Sequence, residues 1–332
     1  MIINFFYTIV REFFSVRVSI LLSVIILFII ALILTVAAPL ILGWVDRKFA
    51  ARMQSRYGPM YVGKFGLLQN VADFIKLLGK DVLSNAYVDG LAFNIAPLLS
   101  SAFAVAMISI IPLGSASLEI INLPYNLLFI YIFMALSPLL VMLGGWGENN
   151  KFALLGAFRG TAQMITYELS VLVVFMSIAF VSGSFDISAI VLSQSMVWNA
   201  VYFPVLFLVF IIGSLAVIER APFDMPESSQ ELQAGWRIEY SGLRYGLLIV
   251  GDYVKLLVIS MLAVYLFLGG WNGPLLPPLA WFWIKTAIVI LVLMSFRWSL
   301  NRPRIDQLLD IGWKWLLPLG VLNLVAVMVL WA

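Results

Sequence analysis

The sequence holds no cysteine and no histidine among its 332 residues. Iron–sulfur clusters need Cys thiolates and haem iron is most often held by His, so the chain itself carries neither through those ligands. The same absences remove disulfides and Cys/His zinc sites. They also remove imidazole, whose ordinary pKa lies near neutrality. Charge is scarce too. Asp, Glu, Lys and Arg make up 11% of the residues, under half the roughly 25% of soluble proteins, and a net charge of +3 is too small to speak for nucleic acid. Neither a G-x-G-x-x-G nor a Walker A pattern occurs. Proton chemistry therefore falls to Asp, Glu, Lys, Arg or Tyr, and any electron comes from a partner or a diffusible carrier.

What is present is apolar. Hydrophobic residues make up 63% of the chain, the mean hydropathy is +1.04, and the apolar residues gather in uncharged runs of bilayer length. A spanning helix needs about 20 apolar residues. The pattern predicts an all-α, polytopic membrane protein with one membrane domain over 1–332. Eight spans are expected near 18–43, 91–113, 123–146, 160–182, 196–218, 246–268, 279–299 and 312–332. Loops at 44–90, 147–159, 219–245 and 300–311 join them on one side. Those loops hold Lys and Arg throughout, seven of them in the first: Arg47, Lys48, Arg52, Arg56, Lys64, Lys76 and Lys80. The loops after spans two, four and six hold none. The positive-inside rule then makes the basic loops cytoplasmic and puts both termini outside. Span one exceeds a signal-peptide core and starts after Arg17, so its retention is expected.

Chemistry concentrates in two loops and one span. Within residues 66–80, Leu67, Leu68, Val71, Phe74, Ile75 and Leu78 keep helical spacing on one face, with Gln69, Asp73, Lys76 and Lys80 on the other. This reads either as an amphipathic helix at the interface or as a polar face lining a cavity. The loop after span five carries Glu219, Asp224, Glu227, Glu231 and Glu239. Pro226 suits a first helical turn, which sets Glu227 and Glu231 at i and i+4, where like charges repel. In a partly dry site such a cluster raises at least one pKa toward neutrality, giving proton exchange without His; the alternative is a solvated acidic loop. Glu168 falls near the middle of span four, where an ionisable group faces a bundle interior or a water path. Asp252 and Lys255 read as a structural pair near the start of span six, close enough to its cytoplasmic end to snorkel. These residues alone allow a transporter, a channel or a subunit of a redox pump.

Several ordered blocks resemble one family, the core membrane subunit of respiratory complex I, known as subunit one or the H subunit. They are Asp46-Arg-Lys, Gly58-Pro, Val62-Gly-Lys-Phe-Gly-Leu-Leu-Gln69, Ala72-Asp73, Gly145-Trp through Arg159, and Ala162-Gln-Met-Ile-Thr-Tyr-Glu168. Further on come Arg220-Ala-Pro-Phe-Asp-Met-Pro-Glu227, Glu239-Tyr-Ser-Gly242, Gly269-Gly-Trp and Arg302-Pro-Arg304. The resemblance implies a proton-pumping membrane subunit that forms the access chamber for a lipid quinone and binds no redox cofactor of its own. It implies an iron–sulfur cluster on a neighbouring subunit, and as partners the hydrophilic-arm subunits, small membrane subunits and antiporter-like subunits. Carried over by motif, Asp46, Arg47, Asp73, Arg220, Asp224 and Glu239 belong to the quinone chamber. Asp81, Glu168, Glu227 and Glu231 belong to a proton channel, and Arg297, Arg302 and Arg304 face the chamber mouth or the hydrophilic arm. The chain departs from the family pattern in places. The acid expected before Arg220-Ala-Pro falls on Val217, with Glu219 two residues later; Asp46 stands where Glu is commoner; Arg237-Ile238 replaces a usual His-Thr. The alternatives are the equivalent subunit of a membrane-bound hydrogenase or sulfur reductase, and a stand-alone ion or solute carrier. The electron donor, whether NADH, a deazaflavin or ferredoxin, lies on other subunits.

Overall fold

In lipid, an apolar segment satisfies its own backbone only as a helix or a closed barrel. The computed structural model takes the helical solution throughout the described residues, which are 16–115, 118–121, 123–227, 229–274 and 276–331. Both chain ends, expected on the outer side of the membrane, fall outside these residues. The helices that matter are α1 (Val16–Met53), α2 (Gln69–Gly79), α3 (Gly90–Ile110), α4 (Asn126–Ala135), α5 (Ser137–Gly147) and α6 (Lys151–Ser182). They continue as α7 (Ile187–Ser193), α8 (Pro204–Val217), α9 (Gly242–Phe267), α10 (Pro278–Ser299), α11 (Ile305–Asp310) and α12 (Leu317–Trp331).

Among the described residues seven helices are long and apolar enough to cross a membrane, where the sequence predicts eight. Here α4 and α5 count as one, and α11 joins α12 through a π-helical turn at Ile311–Leu316. The exception is the stretch expected at 196–218. It divides into Asn199–Tyr202 and α8, with Phe203 between them at φ −127°, ψ 62°. Pro204 has no N–H to continue the earlier helix and opens the next. The 14 residues of α8 rise about 21 Å, short of the ~30 Å hydrocarbon core.

The interior is built on α6 and α9. The first packs against α5, α8 and α12, the second against α3, α10 and α1. Asn150 caps α6 by accepting the Phe152 N–H at 3.1 Å, so the helix starts at Lys151 and carries Glu168 at its middle. The far end of α9 is closed by Lys285 of α10, a buried cation. Its Nζ donates to the carbonyls of Leu268, Gly270 and Asn272 at 2.7, 3.1 and 2.7 Å, the favourable placement for positive charge at a helix C-terminus. Gly270, at φ +52°, makes that turn possible, since a Cβ there would lie 2.6 Å from Val191.

Helix α2 combines both readings of its sequence. Its polar edge turns inward: Asn70 Nδ2 donates to the Leu40 carbonyl at 2.9 Å, opposite Gly43 of α1. Much of its apolar face stays uncovered, with Leu67, Leu68, Ile75 and Leu78 all exposed.

Candidate functional site

The site gathers on the side of the basic loops. Asp46, near the end of α1, is buried and takes donors from three elements. Arg220 Nη1 reaches its Oδ2 at 3.0 Å and Tyr253 Oη at 3.3 Å, Trp298 Nε1 reaches Oδ1 at 3.1 Å, and Arg297 adds a further close ion pair. The Arg220 guanidinium also lies 4.4 Å from the Tyr253 ring centre. A buried carboxylate survives only when so paired. The next residue, Arg47, turns the other way and bonds Asp73 of α2 at 2.5 Å, while Gln69 donates to the same carboxylate at 3.1 Å. Burial works to raise the Asp73 pKa; Arg47 and Gln69 together outweigh it and hold the carboxyl below its usual value.

Three cavities meet here. One of about 410 Å³ lies between α1, α2 and α9, lined by Gly43, Asn70, Asp73, Phe74 and Tyr245. A second, of about 680 Å³, is lined by Asp46, Arg56, Gly58, Gln69 and Arg297. A third, of about 370 Å³, is lined by Glu219, Arg220, Asp224, Glu227, Arg237 and Asp252. Arg47 and Tyr253 line all three.

The third cavity leads to a row of acids organised by Arg237. This guanidinium is buried and bonds Asp252 through both nitrogens at 2.7 and 3.1 Å. It also reaches Glu227 at 2.6 Å and Glu219 at 3.8 Å, and it lies 4.6 Å from the Trp236 ring centre. Burial disfavours its charge, but Asp252, Glu227 and Glu219 outweigh that and raise its pKa. Glu219 is buried with Oε1 unpartnered. Burial pushes its pKa to about 7 against the pull of Lys255 and Arg237. Lys255 and Glu219 are in turn the charges that act on Glu168, itself buried with one unpartnered oxygen. The row thus runs from Glu227 and Asp252 through Glu219 to Glu168.

Not every expected residue joins it. Asp224 forms a two-point pair with Arg302, tying the acidic loop to the segment after α10. Glu231 is exposed and bonds Arg159 at 2.6 Å. Asp81 is exposed beyond α2, and Arg304 is exposed ahead of α11. Glu239 is absent from the lining of the three cavities and accepts from Asn150 Nδ2 at 3.5 Å. Tyr253, Trp298, Arg237, Asp252 and Lys255 join the site without having been singled out for it, while Glu219 comes from the acidic cluster of its loop. The signal for Arg237 was the surplus of carboxylates on its own loop, which calls for a buried cation.

These features define a polytopic helical membrane protein with a branched, ion-paired cavity on its basic side and a buried row of acids running from it toward the middle of the bundle. The chain belongs to the NADH dehydrogenase family, which it matches over residues 24–328. It is 41% identical over 304 residues to the second H subunit of NADH-quinone oxidoreductase from Syntrophobacter fumaroxidans, covering 89% of this chain and 91% of that protein. It is 42% identical over 313 residues to the corresponding protein of Rhizobium meliloti, covering 91% and 95%. With that of Geobacter sulfurreducens it shares 43% identity over 300 residues, covering 88% and 91%.

Proposed function

We propose that this chain forms the quinone access chamber of a complex I-like oxidoreductase and the acidic link from that chamber to antiporter-like proton pumps. The observation that carries the reading is the shared lining of the cavities. Arg47 and Tyr253 stand where the space under α2 meets the space beside Glu227, Arg237 and Asp252. A head group in the first is electrostatically within reach of the acids in the second. The hydrophilic arm, bearing the terminal iron–sulfur cluster, docks on the basic, cytoplasmic face. The small membrane subunits and the pumps extend the row sideways.

The quinone supplies two-electron, two-proton chemistry. The chain's part is to feel the charge that develops. Negative charge beside Arg47 competes with Asp73 for the guanidinium, and Asp73, losing its partner, holds a proton more readily. A unit charge moved at about 4 Å changes an interaction by roughly 4 kcal/mol at an effective dielectric of 20. One pKa unit is about 1.4 kcal/mol, so such a change is large enough to transfer a proton. Glu219, poised near neutrality, responds first, and the change passes along the row toward Glu168.

The test is donor-dependent reduction of a quinone analogue by the purified complex, with NADH, reduced deazaflavin and ferredoxin as donors and a quinone-site inhibitor as control. Inhibitor-sensitive turnover supports the chamber. Hydrogen or sulfide formation without quinone turnover overturns it. In the same assembled complex, Glu168→Gln is expected to abolish proton pumping; full pumping in that variant would remove Glu168 from the relay.

A further inference from the structure

Glu148 follows α5 directly and stands outside both the cavities and the Arg237 row. It is 1% exposed, and no side chain hydrogen-bonds either carboxylate oxygen. An ionised carboxylate left bare in such a place is costly, and the usual escape is to bind a proton. The burial is built into the backbone. Gly147 passes so close to α3 that a Cβ would lie 2.7 Å from the Phe93 nitrogen, and the Asp89 N–H donates to the Gly147 carbonyl at 2.9 Å. The neighbouring acid is Glu239, which accepts from Asn150. Asn150 in turn lines a cleft of about 610 Å³ together with Asn85, Trp146, Asn149 and Lys151.

We propose that Glu148 and Glu239 form a proton-holding pair, fed from solvent through the Asn149–Asn150 cleft and separate from the Arg237 row. Its part in turnover rests on the redox-pump reading; its proton binding does not. The charged and titratable groups around it are Glu239 and Tyr240 ahead of α9, Arg237 before them, and Arg244 in the first turn of α9. Asp89 at the start of α3 and Lys151 at the start of α6 complete the set. Arg244 lies over the Phe93 ring with Nη1 unpartnered, and Tyr240 gives its hydroxyl proton to the Phe93 carbonyl at 3.1 Å, so neither offers Glu148 a hydrogen bond. Burial pushes the Glu148 carboxyl up to about 8, the Glu239 backbone amide works against that, and the Glu239 carboxylate adds to the rise. In the exchange step the Glu148 O–H breaks as a Glu239 O–H forms, and Glu239 then releases the proton to water in the cleft.

The experiment is infrared titration of the resting, assembled complex, following the carbonyl stretch of protonated carboxyl groups. Wild type is expected to show a component that disappears with a midpoint near pH 8 and that is missing in Glu148→Gln. Glu239→Gln is expected to lower that midpoint, because the adjacent negative charge is gone. Glu148→Asp serves where the Gln variant fails to assemble, and should keep a carboxyl band at an altered frequency. A spectrum unchanged in Glu148→Gln, or a midpoint unmoved by Glu239→Gln, overturns the pair. The readout needs no electron donor, so its failure is distinct from failure of quinone turnover.

Discussion

Glu219 adopts a left-handed backbone conformation at φ +58°, which a non-glycine residue holds only when its surroundings impose it. The carboxylate is thereby set between Arg237 and Lys255. Glu219→Gln is expected to lower coupled turnover at least tenfold and to flatten its pH profile between pH 6 and 8, while the KM for quinone stays within about twofold. Steady-state kinetics of the assembled complex over that range decide it. Glu219 and Glu148 share one consequence for stability. Both pKa values stand above the ordinary 4.5, at about 7 and about 8, so the folded chain binds more protons than the unfolded one between those limits. Their stability is complete below pH 4.5 and is lost as pH rises through 7 and 8, at up to about 1.4 kcal/mol per pH unit per group. The Tm of the complex should therefore fall between about pH 4.5 and pH 8, most steeply below pH 7 where both groups contribute, and less so in the double Gln variant. Asp46 gives a third expectation. Asp46→Ala leaves Arg220 and Arg297 without their shared anion, and breaking a buried pair this way costs ~3–5 kcal/mol; thermal unfolding should show it as a lower Tm. The sequence showed plainly that Glu168 is an intramembrane acid and that Glu227 belongs to an acidic loop. It did not show that Glu219 is buried beside Arg237, because that placement goes with a positive φ which no spacing rule marks.

The helices themselves were legible wherever apolar length and charge agreed, as in α3, α9 and α10. They were misread at 196–218, where an uncharged run long enough to span is cut by Pro204 after a non-helical Phe203. Composition measures how far a segment could reach; a single missing N–H decides where it stops. The amphipathic α2 was found by its period, but the period could not say which face is buried. The hydrogen bonds of Asn70 and Asp73 turn that part of the helix toward α1, while Lys76 and Lys80 stay exposed. Gly43 is what lets α2 approach, since a Cβ there would lie 2.7 Å from Asn70 Nδ2. Gly43→Val is expected to push α2 off α1 and raise the KM for quinone analogues about tenfold, with assembly intact by native gel. An unchanged KM would show that the space under α2 is not the chamber.

At the scale of the whole molecule, rigidity and looseness are divided. The ends of α9 and α10 away from the basic loops are locked by Lys285 on three carbonyls, and α6 and α9 are buried along most of their length. Opposite them, α2 is held to the bundle by an amide and an ion pair, and it and the turn before it present Leu67, Leu68, Ile75 and Leu78 outward. Such side chains lie at the boundary between headgroups and acyl chains. On the proposed reading α2 roofs the chamber, which would then be moored partly to the bilayer and set in height by the lipid surface, as a float is by a waterline. Reconstitution into vesicles of graded acyl-chain length should make the KM for quinone pass through a minimum at one thickness, and replacing Leu67 and Ile75 by Ser should erase that dependence.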